Sequence, residues 1–174
     1  MGEPPTLHNG VMQAFKESAE KLAQLMLDRN WRMATVESCT GGWIAQSLTS
    51  LSGSSDWFDC GLVTYSNRAK ERFAGVSQEL IAAHGAVSAE VALAMAAGAR
   101  SRIDVEVVVA VTGIAGPSGG SEQKPVGTVY IAWEIAGRDP LVERFHFHGD
   151  REAIRQQSVA TAIEELINCL ENGD

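Results

Sequence analysis

The stretch Val105–Val111, VEVVVAV, decides the fold. A strand with one face in water alternates polar and apolar residues. Apart from Glu106 near its start this run is apolar, unbroken from Val107 to Val111, which is the pattern of a central strand covered on both faces. Such a strand needs helices on either side of the sheet, and the flanking sequence supplies them. Ser88 is an N-cap before an alanine-rich helix over residues 89–102, and Asp150 caps a closing helix that runs to about residue 170.

Further out, Phe15, Ala19, Leu22 and Met26 recur at helical spacing and predict an amphipathic helix over residues 11–29, behind a flexible polar head at 1–10. Short strands are expected at 33–36 and 61–65, with helices at 43–48, 67–73 and 78–83. Two last strands, 127–135 and 142–148, form a hairpin around Gly137–Pro140. Helices alternating with strands give a three-layer α/β/α sandwich. Its sheet is mixed, mostly parallel and about five strands wide, in a single domain over residues 1–174.

Composition narrows the function. At 174 residues and 45% hydrophobic content the chain suits one core. The formal net charge of −8, with no basic run, argues against nucleic acid as a partner. No apolar run approaches the roughly eighteen residues of a membrane span, and MGEPPTLHNG lacks the features of a signal peptide, so a cytoplasmic protein without a membrane partner is expected. Cys39, Cys60 and Cys169 are odd in number and show no CxxC spacing, which suggests reduced thiols and no cysteine metal site.

In open α/β sheets, sites gather at the carboxyl ends of the strands. That rule brings together Ser38 after the first strand, Tyr65-Ser66-Asn67 after the second, and the glycine-rich Thr112–Gly120 segment after the central one. Ser38 lies between a strand and a glycine-opened helix. It is either a nucleophile displayed on a sharp turn or part of a plain helix cap.

A serine nucleophile needs a base. His8, His84, His146 and His148 are not placed at this edge, and GxSxG is absent, which disfavours a Ser-His-Asp triad. Lys70, one turn into the helix after Tyr65, is the other option if burial lowers its pKa; its alternative is a solvated helix lysine. The SxxK matches Ser18–Lys21 and Ser121–Lys124 read as chance, since the first lies on the first helix and the second runs into Pro125.

The loop Gly113–Gly120 has neither a Walker lysine-serine pair nor GxGxxG, yet its N–H groups suit a small anion as well as a plain turn. His146 and His148 share a strand face but lack a third ligand, so a surface or interface pair is expected rather than a metal site. Cys39, beside Ser38, is either a nucleophile itself or a small packing residue, and with no His or acidic partner evident the packing role is expected.

Several blocks together resemble the nicotinamide-nucleotide amidohydrolase family, also called the CinA C-terminal domain family. They are Glu37-Ser-Cys-Thr-Gly-Gly42, Gly53-Ser-Ser55 with Trp57-Phe58, Val63-Thr-Tyr-Ser-Asn67 with Lys70, His84-Gly-Ala-Val-Ser88, Thr112-Gly-Ile-Ala-Gly-Pro117, Gly119-Gly-Ser-Glu122 with Lys124-Pro-Val-Gly-Thr128, and Gly149-Asp-Arg151. The resemblance runs from about residue 11 to 168, in the single-domain form.

It implies hydrolysis of the carboxamide of nicotinamide mononucleotide to nicotinate mononucleotide and ammonia, with Ser38 as nucleophile, Lys70 as general base and Tyr65 as a proton relay or a structural residue. It implies no metal and no organic cofactor. Candidate substrate contacts are Thr40, Gly41, Gly42, Thr112 and Gly113 near the oxyanion. Gly116, Gly119, Gly120, Ser121, Lys124 and Arg151 are the candidates for ribose and phosphate. The rival readings are a non-catalytic nucleotide-binding or competence-associated module and an amidase for another carboxamide. A homodimer is expected through the first helix, the alanine-rich helix or Trp57-Phe58.

Overall fold

In a computed structural model, which describes residues 7–173, the chain forms five strands and six α-helices. They are α1 (Leu7–Asp28), β1 (Met33–Glu37), α2 (Trp43–Thr49), β2 (Phe58–Val63), α3 (Asn67–Ala74), α4 (Gln78–His84), α5 (Ala89–Arg100), β3 (Val107–Gly113), β4 (Thr128–Ile135), β5 (Leu141–His146) and α6 (Arg151–Asn172). The strand order is β2-β1-β3-β4-β5. The three left-hand strands run parallel, and β4 and β5 return antiparallel as the expected hairpin. The result is the mixed, two-faced α/β sheet that VEVVVAV demanded.

Two separate apolar layers cover the sheet. On one face α1, α2 and α6 bury Phe15, Leu22, Met26, Ile44, Leu166 and Leu170 against alternate residues of β3 and β4. On the other, the small side chains of α5 (Ala92, Ala96, Ala99, with Val91 and Met95) let the helix lie close against Val108, Ala110 and Ala132. Residues Val107–Val111 are all buried, since each alternate side chain meets a helix.

Several boundaries differ from expectation. α1 begins at Leu7 rather than residue 11, so the supposed head is helical from that point; residues 1–6 and the side chain of His8 lie outside the described residues. β2 is Phe58–Val63, three residues earlier than the expected 61–65, because its register on β1 starts with Phe58 opposite Met33. Thr64 and Tyr65 therefore lie beyond the strand, in the loop.

The three surfaces named for a homodimer are consumed inside this chain. Trp57 is 1% and Phe58 8% exposed, the apolar face of α1 packs on α6, and that of α5 packs on the sheet. No helix among the described residues is long and apolar enough to cross a membrane.

Strand order also says where a site belongs. The chain leaves β1 through α2 toward β2 on one side, then crosses back to β3 on the other. The connections diverge at the carboxyl ends of β1 and β3, and this divergence opens a crevice. Ser38 is the first residue after β1.

Candidate active site

At the end of β1 the chain turns through Ser38–Gly42 into α2. Gly41 and Gly42 have φ of 61° and 94°, left-handed values that a side chain resists, and this is why two glycines follow the polar run. The alternative of a plain serine cap fails on geometry. Glu37, not Ser38, serves the helix: its buried carboxylate accepts from Ile44 N at 2.8 Å, Ala45 N at 3.0 Å and Thr40 Oγ1 at 2.7 Å.

Ionised acceptors make strong bonds, and removing one would strand two buried N–H groups. Glu37→Ala is expected to lower stability by about 2–4 kcal/mol, read from equilibrium urea denaturation.

With Glu37 doing the capping, the Ser38 hydroxyl is free for another partner. Lys70 Nζ lies 2.9 Å from Ser38 Oγ, 2.8 Å from the Thr64 carbonyl and 3.3 Å from the Tyr65 carbonyl. The lysine is 2% exposed, and no carboxylate forms an ion pair with it among the described residues. Lysine is almost never buried without a counter-charge. Burial pulls its pKa below the ordinary 10.5, opposed only by the neighbouring Cys39.

Nζ donates to Ser38 Oγ and to both loop carbonyls; on losing a proton it would keep two N–H groups for the carbonyls and turn a lone pair to the serine hydroxyl. That is the arrangement of a base beside its nucleophile.

Neighbouring groups have narrower roles than their sequence suggested. Tyr65 contributes its carbonyl to Lys70, whereas its phenol accepts from Arg151 Nη2 at 2.9 Å and its ring is exposed, so its hydroxyl is held by the arginine. Cys39 is buried, and burial pushes its thiol up to about 11, against the pull of its own backbone and of Lys70. It is no thiolate at neutral pH.

Thr40 and Thr112 are buried and occupied, the first on Glu37 and the second on the Ala86 carbonyl at 2.7 Å. As side chains they hold loops; their place near the site is through the backbone. Gly113 lines the pocket, where a Cβ would come within 3.1 Å of Cys39 Sγ.

The expected phosphate loop splits in two. Gly116 gives its carbonyl to Arg151 Nη1 at 2.9 Å. Beyond it, Gly119, Gly120, Ser121 and Lys124 turn away from Ser38: Ser121 Oγ accepts from Lys124 N, and Lys124 Nζ reaches the His84 carbonyl at 2.8 Å. Neither Ser121 nor Lys124 lines the pocket that holds Ser38, Cys39, Tyr65, Lys70, Thr112 and Arg151.

His146 and His148 are neighbours, with ring centroids 4.7 Å apart, but no group of three or more His, Cys, Asp or Glu among the described residues could hold a metal.

Arg155 was missed in the sequence. From α6 it donates from Nε to the Cys39 carbonyl and from Nη2 to the Thr40 carbonyl, both at 3.0 Å, with its guanidinium 5.3 Å over the Trp43 ring. It ties the closing helix to the turn that carries Ser38. The available signal was its spacing, four residues after Arg151 and hence on the same helical face.

Thr64 Oγ1 is the buried side-chain atom without a hydrogen-bond partner among the described residues. An unpaired buried hydroxyl costs stability, so Thr64→Val is expected to raise it by about 1 kcal/mol. Unchanged or lower stability in thermal or urea unfolding would mean that the hydroxyl has found a partner.

The family description "CinA C-terminal domain" matches residues 15–170, nearly the whole chain. The chain belongs to the CinA C-terminal domain family. A curated relative, the nicotinamide-nucleotide amidohydrolase PncC of Escherichia coli K12, is 47% identical over 148 residues, covering 85% of this chain and 90% of the relative.

A CinA-like protein of Syntrophobacter fumaroxidans is 51% identical over 148 residues, or 84% of this chain, but the match spans only 35% of that longer protein. Among solved structures, the competence/damage inducible protein CihA of Agrobacterium tumefaciens superposes with a TM-score of 0.88 at 40% identity, covering 99% of this chain and 100% of that one. This member of the CinA C-terminal domain family thus shares the fold of the Agrobacterium tumefaciens protein.

Proposed function

We propose that this chain hydrolyses the carboxamide of nicotinamide mononucleotide to nicotinate mononucleotide and ammonia through a Ser38–Lys70 dyad. The observation that carries the reading is the buried, unpaired Lys70 with Nζ 2.9 Å from Ser38 Oγ. The name of the Escherichia coli relative, nicotinamide-nucleotide amidohydrolase, supports the substrate class.

Neutral Lys70 removes the Ser38 proton as Oγ attacks the amide carbon. The oxyanion that forms is stabilised by N–H groups of the Ser38–Gly42 turn. Ser38 N is taken by the Val111 carbonyl and Gly41 N by the Ser38 carbonyl, which leaves Cys39, Thr40 and Gly42 as the open donors of that turn among the described residues.

Lys70, now charged, returns its proton to the leaving nitrogen as the C–N bond breaks and ammonia departs. Water then attacks the acyl-serine with Lys70 again as base, releasing the acid and restoring Ser38. None of these steps calls on a metal.

The test is ammonia release from nicotinamide mononucleotide by the purified protein, with nicotinate mononucleotide identified as the product. A folded wild type that releases no ammonia overturns the reading.

A further inference from the structure

Lys70 reaches Ser38 from α3, and α3 has little of its own to hold it in place. Of its residues only Lys70 and Ala74 are buried, one turn apart on the inward face, so apolar packing barely fixes its position. The helix is seated at its far end. A Cβ built on Gly98 of α5 would overlap the Ala74 oxygen and lie 2.8 Å from the Ala74 carbonyl carbon. Here α3 and α5 meet backbone to backbone, in a gap that only a glycine leaves.

A guanidinium closes the same joint. Arg102 Nη1 donates to Gly98 O at 2.6 Å, and a Cβ built on the left-handed Gly75 would lie 2.8 Å from Arg102 Cζ. Gly75 is the C-cap of α3, and the N–H of Val76 after it donates to the Lys70 carbonyl at 3.1 Å. The charge of Arg102 therefore stands at the negative end of the helix that carries Lys70.

We propose that Gly98 and Arg102 are positioning residues: by the seat they give α3 they set the 2.9 Å reach of Lys70 Nζ to Ser38 Oγ. Neither lines the Ser38 pocket, so they act only through the lysine. A methyl at position 98 cannot be absorbed by α5, whose Val91, Ala92, Met95, Ala96 and Ala99 are buried against the sheet. Carbon atoms pack at about 3.5–4.0 Å, so the added methyl moves α3 outward by about 1 Å. A displacement of that size costs about 10²-fold in rate, and it admits water to an amine that is otherwise 2% exposed.

This inference rests on the Ser38–Lys70 reading for its effect on turnover, so its test includes a readout that needs no turnover. The lysines of the chain are Lys16, Lys21, Lys70 and Lys124. With carbon-13 at the lysine Cε, the Lys70 signal is assigned by its loss in Lys70→Met and titrated by NMR in the wild type, Gly98→Ala and Arg102→Met. The charged and titratable groups around the pocket are Cys39, Tyr65 and Arg151, with Glu37 and Arg155 acting on Cys39, and neither substitution alters them.

Gly98→Ala is expected to lower kcat for nicotinamide mononucleotide about 10²-fold and to raise the Lys70 midpoint toward 10.5. Arg102→Met opens the joint without crowding it and shifts both in the same direction by less, so it decides the matter if Gly98→Ala does not fold. A Lys70 midpoint that stays at its wild-type value in the folded variants overturns the positioning role, even where kcat falls. A midpoint that rises in variants of a protein that hydrolyses no carboxamide keeps the role and overturns the amidase.

Discussion

Ser38→Ala is expected to lower kcat for nicotinamide mononucleotide by at least about 10⁴-fold while leaving the Kd for the substrate within about threefold. The substitution removes one oxygen from a residue that is only 8% exposed and caps nothing, since Glu37 holds the start of α2. Its structural cost is therefore small, and stability should change by less than about 1 kcal/mol, the net worth of one hydrogen bond. Ammonia release and equilibrium binding, measured on the same preparation, separate chemistry from affinity. Retention of more than a tenth of the wild-type kcat would return Ser38 to a structural role.

How far this site can be read from the chain depends on what kind of atom does the work. VEVVVAV announces a strand covered on both faces, and the structure buries every residue from Val107 to Val111. The carboxyl-end rule then gathers Ser38, Lys70 and Thr112, because a parallel β2-β1-β3 order leaves those loops adjacent. The electrostatics of Lys70, however, depend on two backbone carbonyls, Thr64 O and Tyr65 O, and a carbonyl has no letter in a sequence.

β2 was placed three residues late for a related reason. Its apolar start, Trp57-Phe58, looked equally suited to a surface, and only pairing with Met33 fixes the register. Arg155 and Glu37 act across 116 and 7–8 residues respectively, on backbone groups that local spacing does not show. Lys124 and Ser121 illustrate the opposite error. Polar residues in a glycine loop resemble ligand contacts, but here they satisfy the loop itself.

Lys70→Met should reduce kcat by about 10²–10⁴-fold at every pH, the range for loss of a general base. Wild-type activity should fall as pH is lowered, because protonation of Lys70 removes the lone pair that faces Ser38 Oγ. The same group sets a stability signature whose sign follows from its depressed pKa. Between the folded value of Lys70 and 10.5, the unfolded chain binds one more proton than the native one. Wild-type stability therefore rises with pH across that window, and is lost as pH falls through the folded value, where a charged amine must be held in a buried site.

Lys70→Met removes the ionisable group with its burial cost and keeps most of the apolar stem. It should be at least as stable as the wild type at neutral pH and show a flatter dependence on pH. Urea denaturation of both proteins below pH 9.0, the ordinary value for the thiol of Cys39, keeps the opposing titration of that cysteine out of the comparison. Parallel stability curves for the two proteins would mean that Lys70 keeps its proton in the native state, which would exclude it as the base. A variant that is inactive and as stable as, or more stable than, the wild type would place the energetic cost of Lys70 where its function is.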